Sequence, residues 1–259
     1  MFIVTTVRKA TAELENKAKA VAAQLNSRYV RRDGAGIAKM KAQHGCDIVV
    51  VVKQNQILLD MDGTEMFFHP NMAQVRIKRL RCGGTDNMID AMALKRGMSV
   101  LDCTLGFAAD AIVASYQVGE SGRVVGLECS PLIALVTADG LKRYLPTNYD
   151  LKSAMVRIET VNQDYLEYLK KQPDDSFDVV YFDPMFRHPL TDSANINPLR
   201  SLADSDPVSM EAIAEAKRVA RCRVVFKENS RSLEFERLGF TKICGGRYAP
   251  IHYGVMEVE

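Results

Sequence analysis

The stretch VLDCTLGFAADA, Val100–Ala111, decides the fold. An apolar strand runs into Asp102, a turn of small residues carrying Thr104 and Gly106 follows, and a helix then begins. A small-residue turn of this kind lets backbone N–H groups and a helix N-terminus approach a ligand. A nicotinamide-binding turn reads G-x-G-x-x-G, with glycine at the strand end. Here the strand ends in an acid, which suits a cationic ligand group such as an α-amino group. Asp110, in the first helical turn, is either a second acid near that group or a stabiliser of the helix N-terminus.

Working outward, strands and helices alternate. SVLDCTLG (Ser99–Gly106), RVVGLECS (Arg123–Ser130), VRIETVNQ (Val156–Gln163), FDVVYFDPMF (Phe177–Phe186) and CRVVFKEN (Cys222–Asn229) read as strands with helices between them. Repeated strand–helix pairs imply a doubly wound parallel sheet, with ligands at the carboxyl ends of strands near the point where strand order reverses. The last two strands, FTKICGG and HYGVMEVE, have only Arg247–Ile251 between them. That is too short for a crossover helix, so they pair antiparallel. Upstream, FIVTTV is a strand, Thr11 caps a helix, and DIVVVVK, QILLDM and EMFFHP form a meander with two-residue turns. The expected division is a small α/β domain over residues 1–78 and a larger domain over 79–259.

Three further acids sit where strands end. Glu128, 22 residues after Gly106, is placed to accept both ribose hydroxyls of an adenosine, or is simply an exposed strand-end acid. Asp164 is an acceptor for an adenine amino group or a helix N-cap. In VVYFDPMF (Val179–Phe186) a buried strand delivers Asp183, Pro184 fixes the backbone, and Phe186 offers a flat face. An amine nucleophile on a planar ring needs its N–H groups held by acceptors and an aromatic surface to stack on. Asp183, the Pro184 carbonyl and Phe186 supply those parts.

These motifs together resemble the class I S-adenosylmethionine-dependent methyltransferases. More narrowly, the chain resembles the RsmJ-type enzymes that methylate the exocyclic N2 of a guanine in small-subunit ribosomal RNA. The resemblance is carried by DCTLGFAADA (Asp102–Ala111), LECSP (Leu127–Pro131), YFDPMFRH (Tyr181–His188), RVVFK ending at Lys227, and the glycine pair Gly83–Gly84. It runs from about Arg79 to the last strand. It implies a Rossmann-like fold with S-adenosylmethionine as cofactor and S-adenosylhomocysteine as product. It also implies cofactor contacts at Ala109, Asp110, Glu128, Cys129, Asp164 and Asp183, and RNA or the ribosomal small subunit as partner. The chain departs from the family pattern at Ala108 (a glycine there), Ala109 (an arginine) and Arg187 (a proline). The last change bears on substrate identity, because Arg187 and His188 stand beside the expected target base.

Charge is unevenly spread. Residues 1–82 hold fourteen Lys/Arg against seven Asp/Glu, a balance of +7, within an overall +2. Arg76, Lys78, Arg79 and Arg81 are packed into VRIKRLR and are expected to contact a polyanion. Lys227 either meets a phosphate or caps the sheet. Apolar residues make up 47% of the chain, enough for a sizeable core, yet no run is long enough to cross a bilayer. The start carries no secretory signal pattern, and the six scattered cysteines include no C-x-x-C pair, so zinc and disulfides are not expected. A cytoplasmic enzyme that needs no metal is the expectation.

Three other readings compete. QILLDMDGTE (Gln56–Glu65) matches the opening D-x-D-G-T motif of haloacid-dehalogenase phosphatases, but the hairpin spacing leaves no helix after Thr64, where that fold starts one. A small-molecule or protein methyltransferase shares the cofactor motifs but predicts no affinity for RNA, and a non-catalytic binding module, which the Ala108 and Ala109 changes keep open, predicts weak cofactor binding and no turnover.

Overall fold

The computed structural model describes residues 1–61, 63–184 and 206–258. Two sheets form. The first is β1 (Phe2–Thr6), β2 (Ile48–Val52), β3 (Ile57–Met61) and β4 (Thr64–Phe67), in that order. β1 and β2 are parallel, while β2–β3 and β3–β4 are antiparallel. The parallel step needs a crossover, and α1 (Ala12–Gln24) and α2 (Ile37–His44) provide it. Thr11 caps α1 by accepting from Leu14 N at 3.2 Å, and Gly45 ends α2 in the left-handed region at φ 59°.

Alternation along β2 sorts its side chains onto two faces. Val50 and Val52 join the main core, while Val49 and Val51 pack with Ile3, Met40 and Leu58 on the other side. The Asp60-containing stretch is a hairpin, with Met61 paired to Thr64 and Asp60 lying 2.7 Å from Lys41 Nζ. No phosphatase-type helix follows Thr64, since β4 does.

The second sheet has seven strands in the order β10-β11-β9-β8-β5-β6-β7. They are β5 (Ser99–Asp102), β6 (Arg123–Glu128), β7 (Ile158–Asn162), β8 (Phe177–Phe182), β9 (Ala220–Asn229), β10 (Lys242–Cys244) and β11 (Ile251–Glu257). β5 to β9 are parallel, and β11 runs antiparallel both to β9 and to its hairpin partner β10. The chain builds outward from β5 through β6 to β7, then returns to lay β8 on the opposite side of β5. The reversal therefore falls between β5 and β8, and the carboxyl ends of these strands define the site.

Helices cover both faces. α3 (Asn71–Arg81), α4 (Asn87–Met92), α5 (Ala109–Val118), α6 (Pro131–Arg143) and α7 (Tyr149–Val156) contribute to one core cluster. α8 (Tyr165–Leu169), α9 (Met210–Val219) and α10 (Glu234–Arg237) line the other face, with Leu169, Ile213 and Phe235 buried there. Period-two alternation in β8 sends Tyr181 to the first face and Phe182 to the second.

The small sheet is not separate from this core. Leu59 and Phe68 share the main cluster with Leu132 and Val136 of α6. A Cβ at Gly140 of α6 would lie 2.1 Å from Phe68 Cγ, so only glycine admits that ring. The boundary expected after residue 78 falls inside α3, whose Ala73 and Ile77 are buried. Two helices, α6 and α7, lie between β6 and β7 where one was expected.

No helix among the described residues is long and apolar enough to cross a membrane. No group of three or more His, Cys, Asp or Glu among them is placed to hold a metal. No disulfide joins any of the six cysteines, all of which are among the described residues.

Candidate active site

The carboxyl end of β5 delivers Asp102, which is 2% exposed and accepts from Thr104 N at 3.0 Å. Burial pushes its carboxyl up to about 8, and the carboxylates of Asp110 and Asp183 add to the rise. The turn then closes tightly: Ala108 N donates to Leu105 O at 2.7 Å, and Gly106 takes φ 50°. Ala108, where the family pattern has glycine, sits at φ 60° as the N-cap of α5. A Cβ in this region costs roughly 1–2 kcal/mol, and the fully buried methyl is held by the core around it. Ala109 and Asp110 open α5 directly after it.

Asp102 gives a stability prediction with a definite sign. Its folded value near 8 lies above the ordinary 3.8, so the folded chain keeps a proton that the unfolded chain releases. The stability this carboxyl contributes is present at acid pH and is lost as pH rises toward 8. Asp102→Asn does not titrate. Its melting temperature should match the parent near pH 4 and exceed it increasingly up to pH 8, by at most about 1.4 kcal/mol of stability per pH unit. Thermal melts across that range check this, and a difference independent of pH would contradict it.

Glu128, at the end of β6, is 6% exposed. Its Oε2 accepts from Gly106 N at 3.1 Å and its Oε1 from Ser130 N at 2.9 Å. It thus ties the β5 turn to the start of α6. Its Oε1 also accepts from the Cys129 thiol, with Sγ at 3.7 Å. Cys129 beside it is exposed. Asp164, beyond β7, is the N-cap of α8 and accepts from Glu167 N at 2.9 Å.

Asp183 leaves β8 next to the β5 turn, its N–H donating to Thr104 Oγ1 at 2.6 Å. Thr104 therefore braces the β8 end. The Asp183 carboxylate Oδ2 accepts from Lys227 Nζ at 2.7 Å, and the same ammonium donates to Asp110 Oδ2 at 2.8 Å. Asp110 also accepts from the Tyr181 hydroxyl at 2.8 Å and pairs with Arg76. Arg76 in turn grips Asp86 with two hydrogen bonds of 2.7 and 2.8 Å, and Asp86 caps α4.

The charges set one another. Burial opposes ionisation of Asp110, but Lys227 and Arg76 overcome it and hold the carboxyl below its ordinary range. For Asp183 burial prevails over the pull of Lys227, and its value rises to about 6. Burial likewise lifts Tyr253, the strand partner of Lys227, to about 12.

The structure thus brings together Asp102, Thr104, Gly106, Ala109, Asp110, Glu128, Cys129, Asp164, Asp183 and Pro184 along one rim of the sheet. Arg76 does not stand with the solvent-facing cations of its helix. It turns inward to Asp86 and Asp110, because it lies three residues after buried Ala73 and next to buried Ile77. Lys227 is likewise engaged by two carboxylates rather than facing solvent. Lys78, Arg79 and Arg81 are exposed, with Arg81 Nε 3.1 Å from Asp150. Phe186, Arg187 and His188 lie outside the described residues. Asp86 and Tyr181 are site residues that sequence reasoning missed. Only the N-cap position of Asp86 before a helical run gave any signal.

An acid at each of several adjacent strand ends, around a tight turn that opens a helix, suits an adenosyl group. Comparison with known proteins agrees. A family model described as "Putative SAM-dependent methyltransferase" matches residues 36–238. The chain belongs to this SAM-dependent methyltransferase family, and S-adenosylmethionine is its cofactor. It is 39% identical over 257 residues to "Uncharacterized protein YpiP" of Bacillus subtilis, covering 99% of this chain and 100% of that one. It is 34% identical over 156 residues to a "Ribosomal RNA small subunit methyltransferase J" of Coxiella burnetii, covering 58% of this chain and 59% of the relative. A crystal structure of a SAM-dependent methyltransferase from Neisseria gonorrhoeae shares the fold, with a TM-score of 0.64 at 18% identity, over 98% of this chain and 95% of that one.

Proposed function

We propose that the chain methylates an exocyclic amine of RNA, with guanine N2 in small-subunit ribosomal RNA as the target. The observation that carries this reading is the Asp183–Pro184 corner, held at the β5/β8 reversal by Thr104 and Lys227. Similarity to relatives named for small-subunit ribosomal RNA methylation supports the substrate class.

The residues present fit the cofactor by the chemistry of their donors and acceptors. Glu128 stands at its strand end to meet the ribose hydroxyls, Asp164 to meet the adenine amino group, and the Asp102 carboxyl to meet the amino-acid end. When bound, the cofactor supplies an electrophilic methyl group on a sulfonium. The chain's own part is orientation. With Oδ2 on Lys227, Asp183 offers Oδ1 to one N–H of the target amine, and the Pro184 carbonyl takes the other. The nitrogen lone pair is then aimed and the reactants are held close, which accounts for most of the rate gain available to a methyl transfer of this kind. Lys78, Arg79 and Arg81 contact phosphates. The enzyme acts in the cytoplasm.

The test is nucleoside mass spectrometry of small-subunit RNA from cells with and without the gene. Loss of N2-methylguanosine is the expected result; an unchanged level would reject this substrate.

A further inference from the structure

Five charged groups run in single file from the N-cap of α4 to the site: Asp86, Arg76, Asp110, Lys227 and Asp183. Their signs alternate, so each inner group has opposite charges on both sides, and one negative charge is left over. That surplus falls on the end of the row. Asp183 has the most exposed side chain of the five at 34%, against 10–21% for the others. The row is braced from the sides by the Tyr181 hydroxyl on Asp110 and by Asp86 capping α4. Asp102 and Tyr253 are the other titratable groups that act on this end.

We propose that Lys227 is a positioning residue for methyl transfer: anchored by Asp110, it holds one oxygen of Asp183 and keeps that carboxylate charged and aimed at the target amine. This rests on the reading of Asp183 as the amine acceptor. A lysine chain alone would swing, because an ammonium on four methylenes has many rotamers. The second carboxylate, itself fixed by Arg76 and Tyr181, removes that freedom. Lys227 is thereby distinguished from a cation that merely neutralises a sheet edge. Its charge acts on the protonation of Asp183, and Asp110 acts on it with the opposite sign.

Two variants separate these roles. Lys227→Met removes an opposite charge next to Asp183, so the acid limb of the methyl-transfer rate should move to higher pH by about one unit or more. Asp110→Asn removes a like charge and loosens the anchor, so the limb should move to lower pH and the plateau rate should fall. Lys227→Arg should leave the limb close to its original position. The rates are read in single turnovers with labelled S-adenosylmethionine and small ribosomal subunits from cells lacking the gene. Titration of the Asp183 carboxyl by ¹³C NMR, with no substrate present, reports the same two opposed shifts.

Unmoved limbs and unmoved carboxyl titrations in both variants would overturn the proposal. If Lys227→Met does not fold, Asp110→Asn and Lys227→Arg still decide it. Asp183→Ala keeps the two readings apart. If that variant is inactive while the shifts are missing, only the role of Lys227 fails. If it is fully active, the assignment of Asp183 itself fails.

Discussion

Replacing Asp183 with alanine is expected to lower the rate of methyl transfer by about 10²-fold or more, a loss of the size that misorienting a reacting group produces. The backbone of this residue is fixed independently of its side chain, through its N–H on Thr104 Oγ1 at 2.6 Å. The β8 corner and the adjacent turn should therefore survive. Lys227 retains Asp110 as a partner at 2.8 Å, so no buried ammonium is left unpaired. The defect should appear in the single-turnover rate, while affinity for S-adenosylhomocysteine changes by no more than about threefold, well under the 1.4 kcal/mol that a tenfold change represents. A parallel fall in cofactor affinity would show that Asp183 serves binding rather than the target amine.

Glu128→Ala should act on the other half of the site, weakening S-adenosylhomocysteine binding by at least about 100-fold. Hydrogen bonds to a charged acceptor contribute roughly 1.5–3 kcal/mol each, and two ribose hydroxyls are involved. A 100-fold loss corresponds to about 2.7 kcal/mol. The substitution also strips the Gly106 and Ser130 N–H groups of their shared acceptor. The turn loses part of its definition, and stability falls by roughly 1–3 kcal/mol for each buried donor left unmet. Glu128→Gln, which keeps an acceptor oxygen, should fall between the parent and the alanine variant. Calorimetric titration and thermal melts read both effects; unchanged affinity in Glu128→Ala would remove the residue from the cofactor site.

Much of this rim is readable from local sequence. Asp102, Glu128 and Asp183 each follow an apolar run short enough to be a strand, and a parallel sheet gathers strand ends by construction. The terminal hairpin is legible for a similar reason, since five residues cannot carry a crossover. What local pattern does not encode is which charges meet. Arg76 and Asp110 are 34 residues apart and Lys227 lies another 117 away, so nothing in the periodicity of α3 or β9 announces their contact. Read as part of VRIKRLR, Arg76 looks like one of four surface cations. On the folded helix it shares the inward side with Ala73, Ile77 and Leu80, and the three outward cations remain. The same helix hides the junction between the two sheets. Its charged composition reads as a polyanion contact beside a boundary after residue 78, while Ala73 and Ile77 tie it into the common core.

The account turns on a single placement, the adenosyl group lying across the strand ends between Glu128 and Asp183. A crystal structure with S-adenosylhomocysteine bound measures this most directly. The account predicts both ribose hydroxyls within hydrogen-bonding distance of Glu128, the amino-acid end over the 102–106 turn, and the sulfur directed toward Asp183. A ligand bound elsewhere, or one whose sulfur faces away from Asp183, would contradict it.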